Sequence, residues 1–199
     1  MSFLARYTCS KPPHWVGTQR WGNLTLLPIT FLVLVIWILL ISDHIYTRIL
    51  WDSYEKNNKG KESPPISWGI EGTGLPLFFA RSFALLTEVI HLPLHHYLVL
   101  TGRLHPVNIL FNTLFFSIIW LGSAILAVTY VKDDVWPYFD HSAFAYDELV
   151  ITGVVLQWIV VVLYIVYAVF SCIAVHRWRK GAAKATENAT KLDSLSTRE

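Results

Sequence analysis

Residues 24–42 read Leu-Thr-Leu-Leu-Pro-Ile-Thr-Phe-Leu-Val-Leu-Val-Ile-Trp-Ile-Leu-Leu-Ile-Ser, without one charged side chain. A bilayer hydrocarbon core about 30 Å thick takes roughly 20 helical residues to cross, and this run has that length. Its apolar residues are continuous, with no period of 2 or 3.6 that would leave a face for water, so lipid is its natural solvent. Pro12, Pro13, Trp15 and Trp21 precede it and Ser42-Asp43-His44 follows it. That is too long a leader and the wrong boundary for a secretory signal, so the run reads as a retained span.

Three further runs have the same character: about Leu75–Leu100, Val107–Tyr130 and Leu149–Val175. The last exceeds a perpendicular crossing and is expected to tilt or to extend into the interface. With 54% hydrophobic and 15% charged residues among 199, and a mean hydropathy of +0.44, the composition departs from that of a water-soluble domain. The expected fold class is all-α, a transmembrane four-helix bundle. It divides into an N-terminal segment (1–23), a four-span domain (24–180) and a tail (181–199) too polar to order itself.

Orientation follows from the basic residues, which are retained on the cytoplasmic side. One set of flanks carries Arg6, Lys11, Arg20, Arg103, Arg177, Arg179, Lys180, Lys184, Lys191 and Arg198. The other carries Arg48, Lys56, Lys59, Lys61 and Lys132. Both termini are therefore expected in the cytoplasm. Ile45, Tyr46, Ile49 and Leu50 suggest interfacial helical turns before a Lys/Asn/Gly-rich hairpin, and Trp136, Tyr138, Phe139, Phe144 and Tyr146 suit the headgroup region. Asn23-Leu24-Thr25 and Asn188-Ala189-Thr190 match the glycosylation pattern, but on the cytoplasmic side neither would be modified.

The second span is the unusual one. Arg81, Glu88, His91 and His95 fall within an arc of about 80° on one helix face, at roughly 100° per residue. An ionisable group at the bilayer centre costs about 2.5–3.5 kcal/mol on insertion scales, so such a stripe turns toward the bundle interior and often marks function. The plainer alternative has Arg81 reaching one interface and His95 and His96 the other, with only Glu88 and His91 needing protein partners. Asn108, Asn112 and Gln157 are candidate interhelical hydrogen-bond partners, Gln157 for Glu88 in particular. Ser123 with Ala127 and Ala168 with Cys172 have the small-xxx-small spacing that permits close helix approach.

His91-Leu92-Pro93-Leu94-His95-His96 has the spacing of one histidine box of membrane desaturases and hydroxylases. Those enzymes need several boxes on one side of the membrane, whereas His14, His44, His105, His141 and His176 stand isolated. Glu88, His91 and His95 on a single helix interrupted by Pro93 supply too few ligands for a metal. No metal, cofactor or catalytic residue is expected, and the chain is read as non-enzymatic. Cys9 and Cys172 are candidates for reversible acylation near the inner leaflet, with an ordinary thiol as the alternative. The net charge of +2 and the scattered basic residues argue against nucleic acid as a partner.

The four-span layout, and Arg103-Leu104-His105-Pro106 leading into a helix that holds Trp120, resemble the MARVEL-like four-span integral membrane proteins of fungal type. The resemblance covers about residues 24–180. It implies a non-enzymatic protein that organises membrane domains or trafficking in the plasma membrane or an endomembrane. Its partners would be membrane lipids and other membrane proteins or further copies of itself. The polar second span supports the alternative, a small transporter, channel or accessory subunit that uses the stripe for protons, metal or a small solute.

Overall fold

The computed structural model describes Tyr7 and residues 17–57, 75–130 and 144–196. A 3-10 segment, Gly17–Thr25, leads into α1 (Leu26–Asn57), followed by α2 (Leu75–Thr101), α3 (Pro106–Tyr130) and α4 (Phe144–Ser196). Among the described residues there is no strand. Each of the four helices is long and apolar enough to cross a membrane, so the chain is a multi-pass membrane protein of all-α class. The boundaries match the expected spans closely at α2 and α3. α1 continues as helix through Ile45, Tyr46, Ile49 and Leu50 to Asn57, past the apolar span that ends at Tyr46, so the turns expected from the spacing of these residues are helical and continuous with the first span.

The helices bury one side and expose the other. On α1 the core side is Leu26, Ile29, Val33, Ile36 and Leu40, at steps of three and four, while Phe31, Leu34, Ile38 and Ile41 lie outside. On α3 the core side is Ile109, Thr113, Phe116, Trp120, Ala124 and Ala127. The exposed residues are as apolar as the buried ones, which is the pattern expected when lipid and not water meets the outer face. The most extensive helix contact is between α3 and α4. Of the small residues with close-approach spacing, Ser123, Ala127 and Ala168 are buried and Cys172 is exposed.

The turn between α2 and α3 explains its own sequence. Gly102 takes φ 68°, the Gly102 N–H donates to Val99 C=O at 3.1 Å, and the Arg103 N–H donates to Leu98 C=O at 3.1 Å. This pair of bonds closes the helix end on orphaned carbonyls and needs a left-handed residue that glycine supplies most cheaply. His105 then caps α3: its Nδ1 accepts the Val107 N–H at 3.3 Å, and Pro106 opens the helix where a missing N–H is harmless. The His105 ring packs edge-on against Trp178 of α4, with centroids 4.8 Å apart, which sets that part of α4 beside the turn.

α4 runs on to Ser196, across the tail whose composition leads one to expect disorder. The described side chains from 181 to 188 are all exposed, so this stretch is held as helix by its own Ala-, Lys- and Glu-containing backbone and not by packing. The hairpin at 58–74, the aromatic loop at 131–143 and Cys9 lie outside the described residues.

Candidate functional site

α2 turns Glu88, His91 and His95 of its polar stripe into the bundle. Glu88 is fully buried, His95 is 1% exposed and His91 8%. The backbone of Arg81 belongs to the same helix, with its side chain outside those described. The lipid-facing side of α2 is Phe83, Leu86, Val89, Ile90 and Leu94, so the arc read from the sequence separates the two faces. Pro93 sits on the exposed side, where the ring leaves the Val89 carbonyl without its helical donor.

Glu88 is the hub. Its Oε1 accepts the Trp120 indole N–H at 2.7 Å and the Tyr164 hydroxyl at 2.5 Å, and its Oε2 lies 2.8 Å from His91 Nδ1. Three helices thus meet at one carboxyl group: α2 carries it, α3 gives Trp120 and α4 gives Tyr164. His91 is stacked on Phe116 at 3.7 Å between centroids and 18° between planes, which fixes the ring that faces Glu88.

From the hub the hydrogen bonds continue toward the α2–α3 turn. His91 Nε2 lies 3.1 Å from His95 Nδ1, His95 Nε2 lies 2.9 Å from the Tyr167 hydroxyl, and that hydroxyl donates to Asn23 Oδ1 at 3.3 Å. Each step down α2 is one turn, so the chain advances about 10 Å from Glu88 to His95. Asn23 belongs to the 3-10 segment, which is close against α4: a Cβ built on Gly22 would meet Phe170 Cβ at 2.8 Å.

His96 makes a smaller cluster beside this chain. Its Nε2 lies 2.8 Å from Thr30 Oγ1 of α1, and its Nδ1 lies 2.6 Å from the Tyr7 hydroxyl. Tyr7 is buried, and burial raises its phenol pKa above the ordinary value. The plainer alternative, in which only Glu88 and His91 need protein partners, is therefore corrected. His95 is bonded wholly inside the protein and His96 in part.

The expected partners differ from the observed ones. Gln157 is 1% exposed, and neither its Nε2 nor its Oε1 has a hydrogen-bond partner in the protein. It stands seven residues, or about 10 Å, along α4 from Tyr164 and does not serve Glu88. Asn108 is exposed and Asn112 half-buried, and neither makes an interhelical hydrogen bond. Asn23, legible in the sequence only as a glycosylation pattern, takes that role. No sequence motif singles out Trp120, Tyr164 or Tyr167 as a site residue. A signal for them exists in the polar tips of aromatics placed mid-span, away from the headgroup belts where such residues usually sit.

Among the described residues no group of three or more His, Cys, Asp or Glu side chains is arranged to hold a metal ion. The imidazole nitrogens of His91 and His95 point at each other and at Glu88 and Tyr167, so they share hydrogen bonds along a line and do not converge on a point. Chemically this is a line of hydrogen bonds that holds both rings in place between Glu88 and Tyr167. Compared with family models, curated proteins and solved structures, the chain matches none.

Proposed function

We propose that this multi-pass membrane protein is non-enzymatic and acts through lateral contacts with lipids and other membrane proteins, as the MARVEL-like resemblance implies. The observation that carries the reading is the division of polarity: Glu88, His91 and His95 of α2 are bonded to partners inside the bundle, and large apolar side chains cover the outside of every span. A surface of this kind offers lipid tails and other helices its whole outer area. The membrane would be the plasma membrane or an endomembrane, with both termini cytoplasmic.

The test is isolation of the full chain in lipid nanodiscs cut directly from the membrane, with identification of the lipids and proteins retained. Enrichment of particular lipids, of particular membrane proteins or of multiple copies of the chain is expected. A single copy surrounded by lipid of bulk composition would overturn the reading. The second reading, a conduit through the bundle, is favoured by the unbroken hydrogen-bonded run from Glu88 to Asn23.

A further inference from the structure

Acidic residues are absent from long stretches of the chain. The first is Asp43, none stands between Glu88 and Asp133, and none between Glu148 and Glu187. The antiparallel helices gather these stretches at one end of the bundle: Thr30 of α1 meets His96 near the end of α2, and His105 after the α2–α3 turn meets Trp178 of α4. Neither the 3-10 segment nor α3 contains an acid, and the one acid of α2 is Glu88 at its middle. Asp43, Asp52 and Glu55 fall in the far half of α1, and Asp147 and Glu148 at the far start of α4. Bases mark the turn end instead. Arg103 follows the turn glycine, Arg177, Arg179 and Lys180 adjoin Trp178, and the side chains of all four are exposed. The first acid past them on α4, Glu187, is seven residues beyond Lys180, about 10 Å along the axis.

These bases stand at the depth of lipid headgroups. Glu88 is the middle residue of α2, and Tyr164 binds it from α4. Trp178 is fourteen residues past Tyr164, so it lies about 21 Å from the level of Glu88. With Glu88 at the bilayer centre, the hydrocarbon ends about 15 Å away and the headgroup zone about 20–22 Å away. Arg177 and Arg179 leave α4 about 100° to either side of Trp178. The Trp178 ring is held edge-on to His105 at 4.8 Å between centroids, which fixes the turn carrying Arg103 beside the helix carrying Arg179 and Lys180. Just below, toward the bilayer centre, the surface is apolar and exposed at Leu100, Val107, Phe111, Val169 and Ile173.

We propose that the turn end of the bundle binds anionic phospholipid headgroups, with Arg103, Arg179 and Lys180 as the side chains that hold the phosphate and the negative charge beside it. The proposal rests on the lateral-contact reading and names the lipid class. Each guanidinium offers parallel N–H donors to two phosphate oxygens, and the ammonium adds a point charge. A lipid fits better than a soluble phosphate because the bilayer delivers its headgroup at this depth and its acyl chains meet the apolar surface just below the bases. Phosphatidylcholine carries its own cation and gains little from the same bases, so the surface discriminates between headgroups.

The experiment uses the full chain in phosphatidylcholine bilayers holding a trace of spin-labelled phosphatidylserine or, in a parallel sample, spin-labelled phosphatidylcholine. The fraction of label immobilised at the protein surface gives the relative affinity of the two headgroups. Phosphatidylserine is expected to be enriched several-fold over phosphatidylcholine, and the enrichment to shrink as salt is added. The triple variant Arg103→Gln, Arg179→Gln, Lys180→Gln should lose it while keeping the wild-type thermal transition, and Lys56→Gln at the far end should retain it. Equal immobilisation of the two lipids by wild type overturns the proposal, as does full enrichment in the folded triple variant or an equal loss in Lys56→Gln. Where the triple variant does not fold, full enrichment in each of the three single variants overturns it instead. The outcome is separable from that of the lateral-contact test. Equal immobilisation here, beside enriched proteins or neutral lipids in the native nanodiscs, removes the headgroup assignment alone, whereas single copies in bulk lipid there remove the wider reading.

Discussion

Glu88 concentrates the energetics of the interior, since one carboxyl group satisfies an indole N–H, a phenol O–H and an imidazole from three helices. Glu88→Leu leaves the Trp120 and Tyr164 donors unpaired, at about 1–3 kcal/mol each, and its melting temperature in detergent should fall well below that of wild type. Glu88→Gln keeps the shape and an accepting oxygen, so it should melt between the two. Equal melting temperatures for Glu88→Leu and wild type would show that the hub does not hold the helices. Gln157 is the opposite case. Its amide bonds nothing in the protein, so Gln157→Leu, which exchanges an unpaired polar group for an apolar one of similar size, should melt at or above the wild-type temperature. A clear drop in melting temperature would mean that the amide supports the fold. Tyr7 reports on the N-terminal segment: its phenol pKa is raised by burial, so its contact with His96 is fully present below the ordinary phenol range and is lost as pH rises through the elevated value.

Between elements, the 3-10 segment packs tightly on α4 at Gly22. Gly22→Ala would drive a methyl group against the Phe170 Cβ, which belongs to a fixed part of that side chain, so backbone must move. Overpacking of this sort costs about 1–3 kcal/mol, and because Asn23 is the next residue the shift should also break its bond to Tyr167. A melting temperature unchanged by Gly22→Ala would show that the segment is free to lift. The four spans were legible because an apolar run of membrane length has few other uses, and the stripe on α2 was legible because a helix repeats every 3.6 residues. What faces Glu88 was not legible in the same way. Gln157 is a natural partner by chemistry, and only the register of α4 against α2 decides that Tyr164 arrives there instead. Register between helices separated by long loops leaves no local period in the sequence. Arg103-Leu104-His105-Pro106, noticed as a resemblance, proves to be a helix stop followed by a helix cap, which is a local signal of known physical meaning.

At the scale of the molecule, the two ends differ in charge. The His105–Trp178 contact sets the α2–α3 turn beside α4, so Arg103 shares an end with Arg177, Arg179, Lys180 and Lys184. At the far end α1 leaves Arg48 and Lys56 exposed. Basic flanks are held on the cytoplasmic side, so the turn end should lie inside. Single cysteines at Lys56 and Lys184, in a background with Cys9 and Cys172 replaced by serine, separate the two orientations. A membrane-impermeant maleimide applied to intact cells should label position 56, with position 184 reacting only after permeabilisation. Labelling at 184 in intact cells would invert the protein in its membrane and overturn the orientation argued from the basic flanks.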